Sequence, residues 1–281
     1  MGFRDIMVFL DAGPASAGRL QLASRIARQH GADLSAAFLH DGAAVNHAAI
    51  APHLALGAQL RSVELGVQRR DATQDDMEAD FRQCLRAYGG DGEWHAVQRG
   101  DRAHLIELAR TVDLLVLGQI NPHLRPAPWW RTNEIVVGCG RPVLLVPYVG
   151  RYAEVGRRVL IAWDGSREAA HALHDAVPMM DGTSEVTVVT VRNHGGLYPH
   201  DRAGTERVIR YLARHDIAAR AEHPERGSNA VSDVLLSAAM DCSADLIVAG
   251  AYHHSPLREA LVGGVSRELL QAMTVPVLMA H

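Results

Sequence analysis

Two stretches of this chain repeat each other, and the distance between them limits the folds available. A β-rich run that ends in an acid and meets a helix-start signal occurs as IMVFLDAGPAS and again as RVLIAWDGSREA. The acids are Asp11 and Asp164, separated by 164 − 11, or 153 residues, in a chain of 281. Further landmarks recur in the same order: the strands LSAAFLH and VTVVTV, the pairs Arg99-Gly100 and Arg226-Gly227, and the strands DLLVLG and DLIVAG. Each copy closes on a Pro-Val-Leu strand, RPVLLVP and VPVLMAH. A repeat half the chain long means duplicated domains and excludes a solenoid of short units. The expected domains are 1–149 and 156–281, joined by a linker of mixed polarity between Val149 and Gly156.

Within each copy, short continuous apolar runs alternate with helical patterns. That is the signature of a buried parallel sheet with helices on both faces, a doubly wound α/β fold. A helix is expected from Ser16, its cap, to His30, with Gly31 at its finish. From Asp71 to Tyr88 a second helix carries Met77, Phe81, Cys84, Leu85 and Tyr88 on one stripe. Similar stripes run through Val208, Ile209 and Leu212, and through Val231, Val234, Leu235 and Ala238. The Ala- and His-rich region from Gly42 to Gly66 has no clean period and is left as loop plus helix.

Composition narrows the function. A net charge of −4 and a pI near 6.5 leave no basic field to hold a phosphate backbone, so nucleic acid is not expected as a partner. Cys84, Cys139 and Cys242 are odd in number and far apart, giving neither a disulfide framework nor a zinc spacing. A cytoplasmic protein is expected, and the apolar run before Asp11 is too short for a membrane span. His253-His254, His194 and His200 invite a metal, but adjacent histidines point apart and lack helical i, i+4 partners, so none is expected. Trp129-Trp130 in a Pro-rich loop is read as cover for a neighbouring core.

In a doubly wound sheet ligands sit outside the carboxyl ends of the strands, where the winding reverses. In the second copy this brings the end of VLIAWDGS beside DLIVAG and the segment GAYHHSPLREALVGGVSRELL. Gly263, Gly264, Val265 and Ser266 lead into a helical run through Leu269, Leu270 and Met273, so backbone N–H groups at a helix start could bind phosphate oxygens. The same glycines can also serve only as a tight strand-to-helix turn, and Asp164 only as an Asx turn before Ser166.

On these residues the chain resembles the universal stress protein family. Its nucleotide loop runs glycine, two residues, glycine, nine residues, glycine and Ser or Thr; here Gly250, Ala251, Tyr252, His253, nine residues, Gly263 and Gly264 stand in that frame. His253 replaces the second glycine and Gly264 the hydroxyl residue. The resemblance implies Rossmann-like domains of the adenine nucleotide alpha hydrolase type, two tandem five-stranded sheets with strand order 3-2-1-4-5. It implies ATP in the second copy, held by Ala162, Asp164, Gly165, Ser166, Val191, Gly250, His253, Gly263, Gly264, Val265 and Ser266. It also implies an internal pseudo-dimer made through the two Pro-Val-Leu strands, with room for a homodimer and a regulatory protein partner.

The first copy departs further, with Gln119-Ile120-Asn121-Pro122 after Gly118 and no glycine pair before the following helix. At most one nucleotide per chain is therefore expected, in a stress-response sensor or regulator. No nucleophile, base and orienter set accompanies the site, so catalysis beyond slow ATP hydrolysis is not expected. Two alternatives stand beside this reading: a ligand-free scaffold, and an adenylating or electron-transfer enzyme, the former of which needs a Gly-rich pyrophosphate loop that neither FLDAGPAS nor AWDGSREA supplies.

Overall fold

A computed structural model describes residues 2–40, 73–98, 100–120, 130–192, 199–251 and 264–281. The first half runs β1 (Asp5–Leu10), α1 (Ser16–His30), β2 (Asp33–His40), α2 (Gln74–Tyr88), β3 (Trp94–Gln98), α3 (Arg102–Ala109), β4 (Leu114–Gly118), α4 (Trp130–Cys139) and β5 (Val143–Val146). The second runs β6 (Arg158–Ala162), α5 (Arg167–Ala176), β7 (Glu185–Val189), α6 (Pro199–Ala213), β8 (Ala219–Glu222), α7 (Val231–Asp241), β9 (Leu246–Gly250), α8 (Val265–Ala272) and β10 (Val277–Ala280). The region 42–66 lies outside the described residues.

The strands form one sheet in the order β3-β2-β1-β4-β5-β10-β9-β6-β7-β8. Read inward from either edge, each half has the order 3-2-1-4-5. Neighbours within a half are parallel. At the middle β5 and β10 run antiparallel, with Val277 opposite Leu145, Leu278 opposite Leu144 and Met279 opposite Val143. The two five-stranded sheets expected from sequence are thus continuous, joined through the Pro-Val-Leu strands. Each fifth strand would otherwise present a row of unpaired backbone donors and acceptors, and the join satisfies both rows at once.

Alternation along the strands builds two cores. Ile6, Val8, Leu10, Leu144, Leu278 and Ile161 face one layer, which α1, α2, α5 and α6 cover. Met7, Phe9, Leu145, Met279 and Leu160 face the other, covered by α3, α4, α7 and α8. Both layers continue across the β5–β10 join, so burial of apolar surface, at about 25 cal/mol per Å², holds the halves together as well as each half within itself.

Local signals explain several helix ends. Gly31 adopts the left-handed conformation (φ 61°) and its N–H closes on the carbonyls of Ala27 and Arg28, ending α1. Helix α2 begins at Gln74, three residues later than the apolar stripe suggested, because Thr73 forms a reciprocal capping box with Asp76. Met77, Phe81 and Leu85 of its stripe are buried. Ser16 does not cap α1: Ala15 holds the cap position with no side-chain bond, and Ser16 turns back toward the strand. The Asp that opens both DLLVLG and DLIVAG has a structural task. Asp113 accepts N–H groups of Arg4 and Asp5, and Asp245 accepts those of Gly156, Arg157 and Arg158. Each carboxylate thereby ties the start of its half's first strand.

At the end of α1, His30 packs edge-on against Phe3 with ring centroids 4.9 Å apart, and burial pulls its imidazole below the ordinary value. A depressed histidine pKa means the unfolded chain takes up the proton first as pH falls through about 6.5, so stability drops on acidification. Urea unfolding at pH 7.5 and pH 5.5 should show a smaller acid-induced loss in His30→Gln than in the parent. An equal loss in both would remove His30 from the account.

Candidate functional site

Strand order brings the end of β6 between β7 and β9 in the second half. Ala162 is paired with Val189 at the end of β7, and the Trp163 N–H continues that ladder to the Val189 carbonyl at 2.9 Å. Asp164 follows at the mouth of the crevice, with Val191 just past β7 on one side and Gly250 at the end of β9 on the other. Sequence reasoning placed Ala162, Asp164, Gly165, Ser166, Val191 and Gly250 here, and the fold assembles them at adjacent carboxyl ends.

Asp164 is exposed, and its Oδ1 accepts the Ser166 N–H at 2.9 Å. Gly165 between them has φ 78°, a left-handed conformation that glycine adopts without penalty. Ser166 then caps α5, its Oγ accepting the Ala169 N–H at 3.0 Å. The Asx turn is therefore real. It uses one carboxylate oxygen, and Oδ2 meets no partner among the described residues.

Gly250 has a packing role of its own. A Cβ placed on it would lie 2.5 Å from the Ala169 nitrogen and 2.7 Å from the Glu168 carbonyl carbon, so the first turn of α5 sits directly on the end of β9. Glu168 is buried there, its carboxylate 2.8 Å from the exposed Arg167 guanidinium.

On the far side of the crevice stands α8. Because β10 is parallel to β9, α8 must run back from the carboxyl ends of the strands to their amino ends, which puts Gly264, Val265 and Ser266 at the crevice end. Gly264 holds the cap position in extended geometry without a side-chain cap bond, Val265 is exposed and Ser266 is buried. Glu268 in the first turn accepts a hydrogen bond from buried Ser232 of α7 at 2.7 Å, locking α8 to its neighbour. His253 and Gly263 of the expected loop lie outside the described residues, as do Trp129, His194 and His254.

The same place in the first half is built differently. Asp11 accepts the Gly13 N–H at 2.7 Å and the Ser16 hydroxyl at 3.0 Å. Arg19, 4% exposed, reaches in from α1: its Nε donates to the Phe9 carbonyl at 2.7 Å, its Nη2 donates to Ser16 Oγ at 2.9 Å and stands 3.5 Å from Asp11. Burial draws the guanidinium below its ordinary value, and Asp11 partly offsets this. A Cβ on Gly118 would collide with Arg19 Nη1, so a guanidinium fills the space beside Gly118 that helix backbone fills beside Gly250. Sequence reasoning passed over Arg19. A signal was present, since Arg19 shares a helical stripe with Leu22, Ala23 and Ile26, all buried.

A sequence model of the universal stress protein family matches residues 156–281. That match spans the second of the chain's two halves. Among curated proteins the chain finds no match. Its fold is similar over 98% of its length to the crystal structure of a universal stress protein from Archaeoglobus fulgidus, at 14% identity, TM-score 0.66 and 97% coverage of that chain. It is also similar over 99% of its length to a functionally unknown protein from Pseudomonas aeruginosa, at 17% identity, TM-score 0.59 and 92% coverage. At such identities the likeness speaks for the fold alone. It extends the universal stress protein architecture to the first half, which the family's sequence model leaves unmatched. Among the described residues no helix is long and apolar enough to cross a membrane, and no cluster of three His, Cys, Asp or Glu is placed to hold a metal ion.

Proposed function

We propose that the chain is a tandem universal stress protein, with domains 1–149 and 156–281, that binds one adenine nucleotide in the second domain and acts as a sensor or regulator. The observation that carries this reading is the placement of exposed Asp164 just past the carboxyl end of β6, between the ends of β7 and β9, with its Oδ2 unpartnered among the described residues. An eight-residue helix points its N-terminus toward the same end. A ribose hydroxyl would donate to Asp164 Oδ2, and the phosphates would lie toward the amides at Gly264, Val265 and Ser266, where backbone donors and helix dipole act together. ATP fits both ends of that arrangement.

The first domain is read as a non-binding partner. Its corresponding space holds the Arg19 guanidinium, itself bonded to Asp11, Ser16 and Phe9, so the acid that would meet the ligand is engaged by the chain's own cation. Calorimetric titration of ATP should give one site per chain. Asp164→Asn keeps an Oδ1 acceptor for the Ser166 N–H but removes the charged acceptor. It should weaken ATP by about tenfold, the loss of one hydrogen bond to a charged group, while thermal stability stays near the parent's. Two equivalent sites, or an unchanged affinity in Asp164→Asn, would sink the reading.

A further inference from the structure

Helix α8, whose first residues face the proposed phosphate site, is poorly finished at its other end. The last four carbonyls of a helix need donors from outside it. Here no left-handed residue closes the helix, since Met273 has φ −59°, and no basic residue occupies the last turn. The donor comes from the other half of the chain. Gln119 follows Gly118 at the end of β4, and its Nε2 donates to the Leu270 carbonyl at 2.8 Å and the Gln271 carbonyl at 3.1 Å. The Gln119 Oε1 accepts the Tyr148 N–H at 3.3 Å, and the Gln119 backbone N–H donates to Val146 at 2.7 Å, so both ends of the amide and its backbone are fixed. Just beyond α8, the Tyr152 hydroxyl lies 2.7 Å from the Val149 carbonyl and 3.0 Å from the Thr274 carbonyl, while Arg25 of α1 donates to the Tyr152 carbonyl at 2.8 Å.

The antiparallel β5–β10 join makes this contact possible, because it sets the carboxyl end of β4 beside the amino ends of the second half's strands. The arrangement runs one way only. The residue after Gly250 is Ala251, whose backbone N–H makes the equivalent bond, to Ala280 at 2.8 Å, but whose side chain has no donor to send across. Helix α4, the counterpart of α8, is finished within its own half by left-handed Gly140 (φ 63°) and by Arg110, which donates to the Gly138 carbonyl.

We propose that Gln119 is a positioning residue of the first half for the nucleotide site of the second. By holding the last carbonyls of an eight-residue helix, about 12 Å long, it sets the height of the amides that meet the phosphates at the other end. The residue standing where the first half's own loop would begin thus serves the loop of its neighbour. This rests on the nucleotide reading above.

Gln119→Glu is the discriminating variant: it keeps side-chain volume and the acceptor for Tyr148, and loses only the donor to Leu270 and Gln271, placing a negative charge at a helix C-terminus. In the full chain it should lower ATP affinity about five- to tenfold while adenosine, which lacks phosphates, changes less than about twofold. Amide exchange in 268–273 should quicken with or without ligand. Gln119→Lys, which restores a donor, should keep ATP affinity near the parent's. Should Gln119→Glu fail to fold, Gln119→Met, which removes the donor without adding a charge, carries the test, with the same selective loss of ATP over adenosine. If Gln119→Glu binds ATP as the parent does, or weakens ATP and adenosine equally, the positioning role is overturned while the nucleotide reading stands. A parent that binds neither ligand overturns both.

Discussion

Gly250→Ala should destabilise the chain by about 3 kcal/mol, the upper range for overpacking, although it adds a single methyl group. The added Cβ would stand 2.5 Å from the Ala169 nitrogen and 2.7 Å from the Glu168 carbonyl carbon. Both are backbone atoms in the first turn of α5, so no rotamer change relieves the contact. Either α5 lifts off the end of β9, disturbing the Ser166 cap and buried Glu168, or β9 shifts within the sheet. Gly18→Ala serves as a control of opposite sign. Gly18 lies inside α1 with nothing within 4 Å of the added Cβ. It should stabilise by about 0.5–1 kcal/mol through helix propensity alone. Denaturant unfolding of the two variants checks both signs together; a neutral Gly250→Ala would show that α5 is not seated as described.

Arg19→Ala should cost about 2–4 kcal/mol, in the range for removing one partner of a buried ion pair, with the partly exposed Asp11 keeping it from the top. Ser16 Oγ now donates to Asp11 and accepts from the Asp11 N–H and Arg19, which uses its hydrogen and both lone pairs. The substitution leaves the Phe9 carbonyl without its donor and Asp11 without its cation. It also opens a space beside Gly118, since the guanidinium is what approaches that residue. Arg19→Lys should recover only part of the loss, because a single ammonium cannot reach Phe9, Ser16 and Asp11 in the fixed fork that a guanidinium provides. If Arg19→Ala unfolds at the parent's denaturant concentration, the network beside Gly118 contributes nothing to stability.

Much of the fold was legible because it depends on periodicity and repetition. Runs such as LLVLG and LIVAG read as buried strands because they are short and alternate with helical patterns, and the family resemblance anticipated the central pairing of Val143–Val146 with Val277–Ala280. The crevice residues followed from strand order, since Asp164 and Gly250 end neighbouring strands. What escaped was chemistry between residues distant in sequence. Gln119 reads as an ordinary loop glutamine until the antiparallel join places it against Leu270, 151 positions away. Ser16 reads as a cap because Ser before an apolar stripe usually is one. Arg19 makes a better partner for its hydroxyl than the helix amides do, so the expected cap is overridden by a side chain three residues on.

The central pairing has a consequence for how the chain is made. Strand β5 ends at Val146 and its partner β10 begins at Val277, 277 − 146 or 131 positions later. At a synthesis rate of about 5–20 residues per second, the first half waits roughly 7 to 26 s with one edge of β5 open. That edge is apolar, four buried residues long in the finished molecule, and carries unpaired amides and carbonyls throughout the wait. On a polysome, neighbouring nascent chains would offer the same edge to one another, so ribosomal spacing and chaperone capture bear on yield. A chain terminated before β10 would keep that edge open permanently and should be recovered as aggregate.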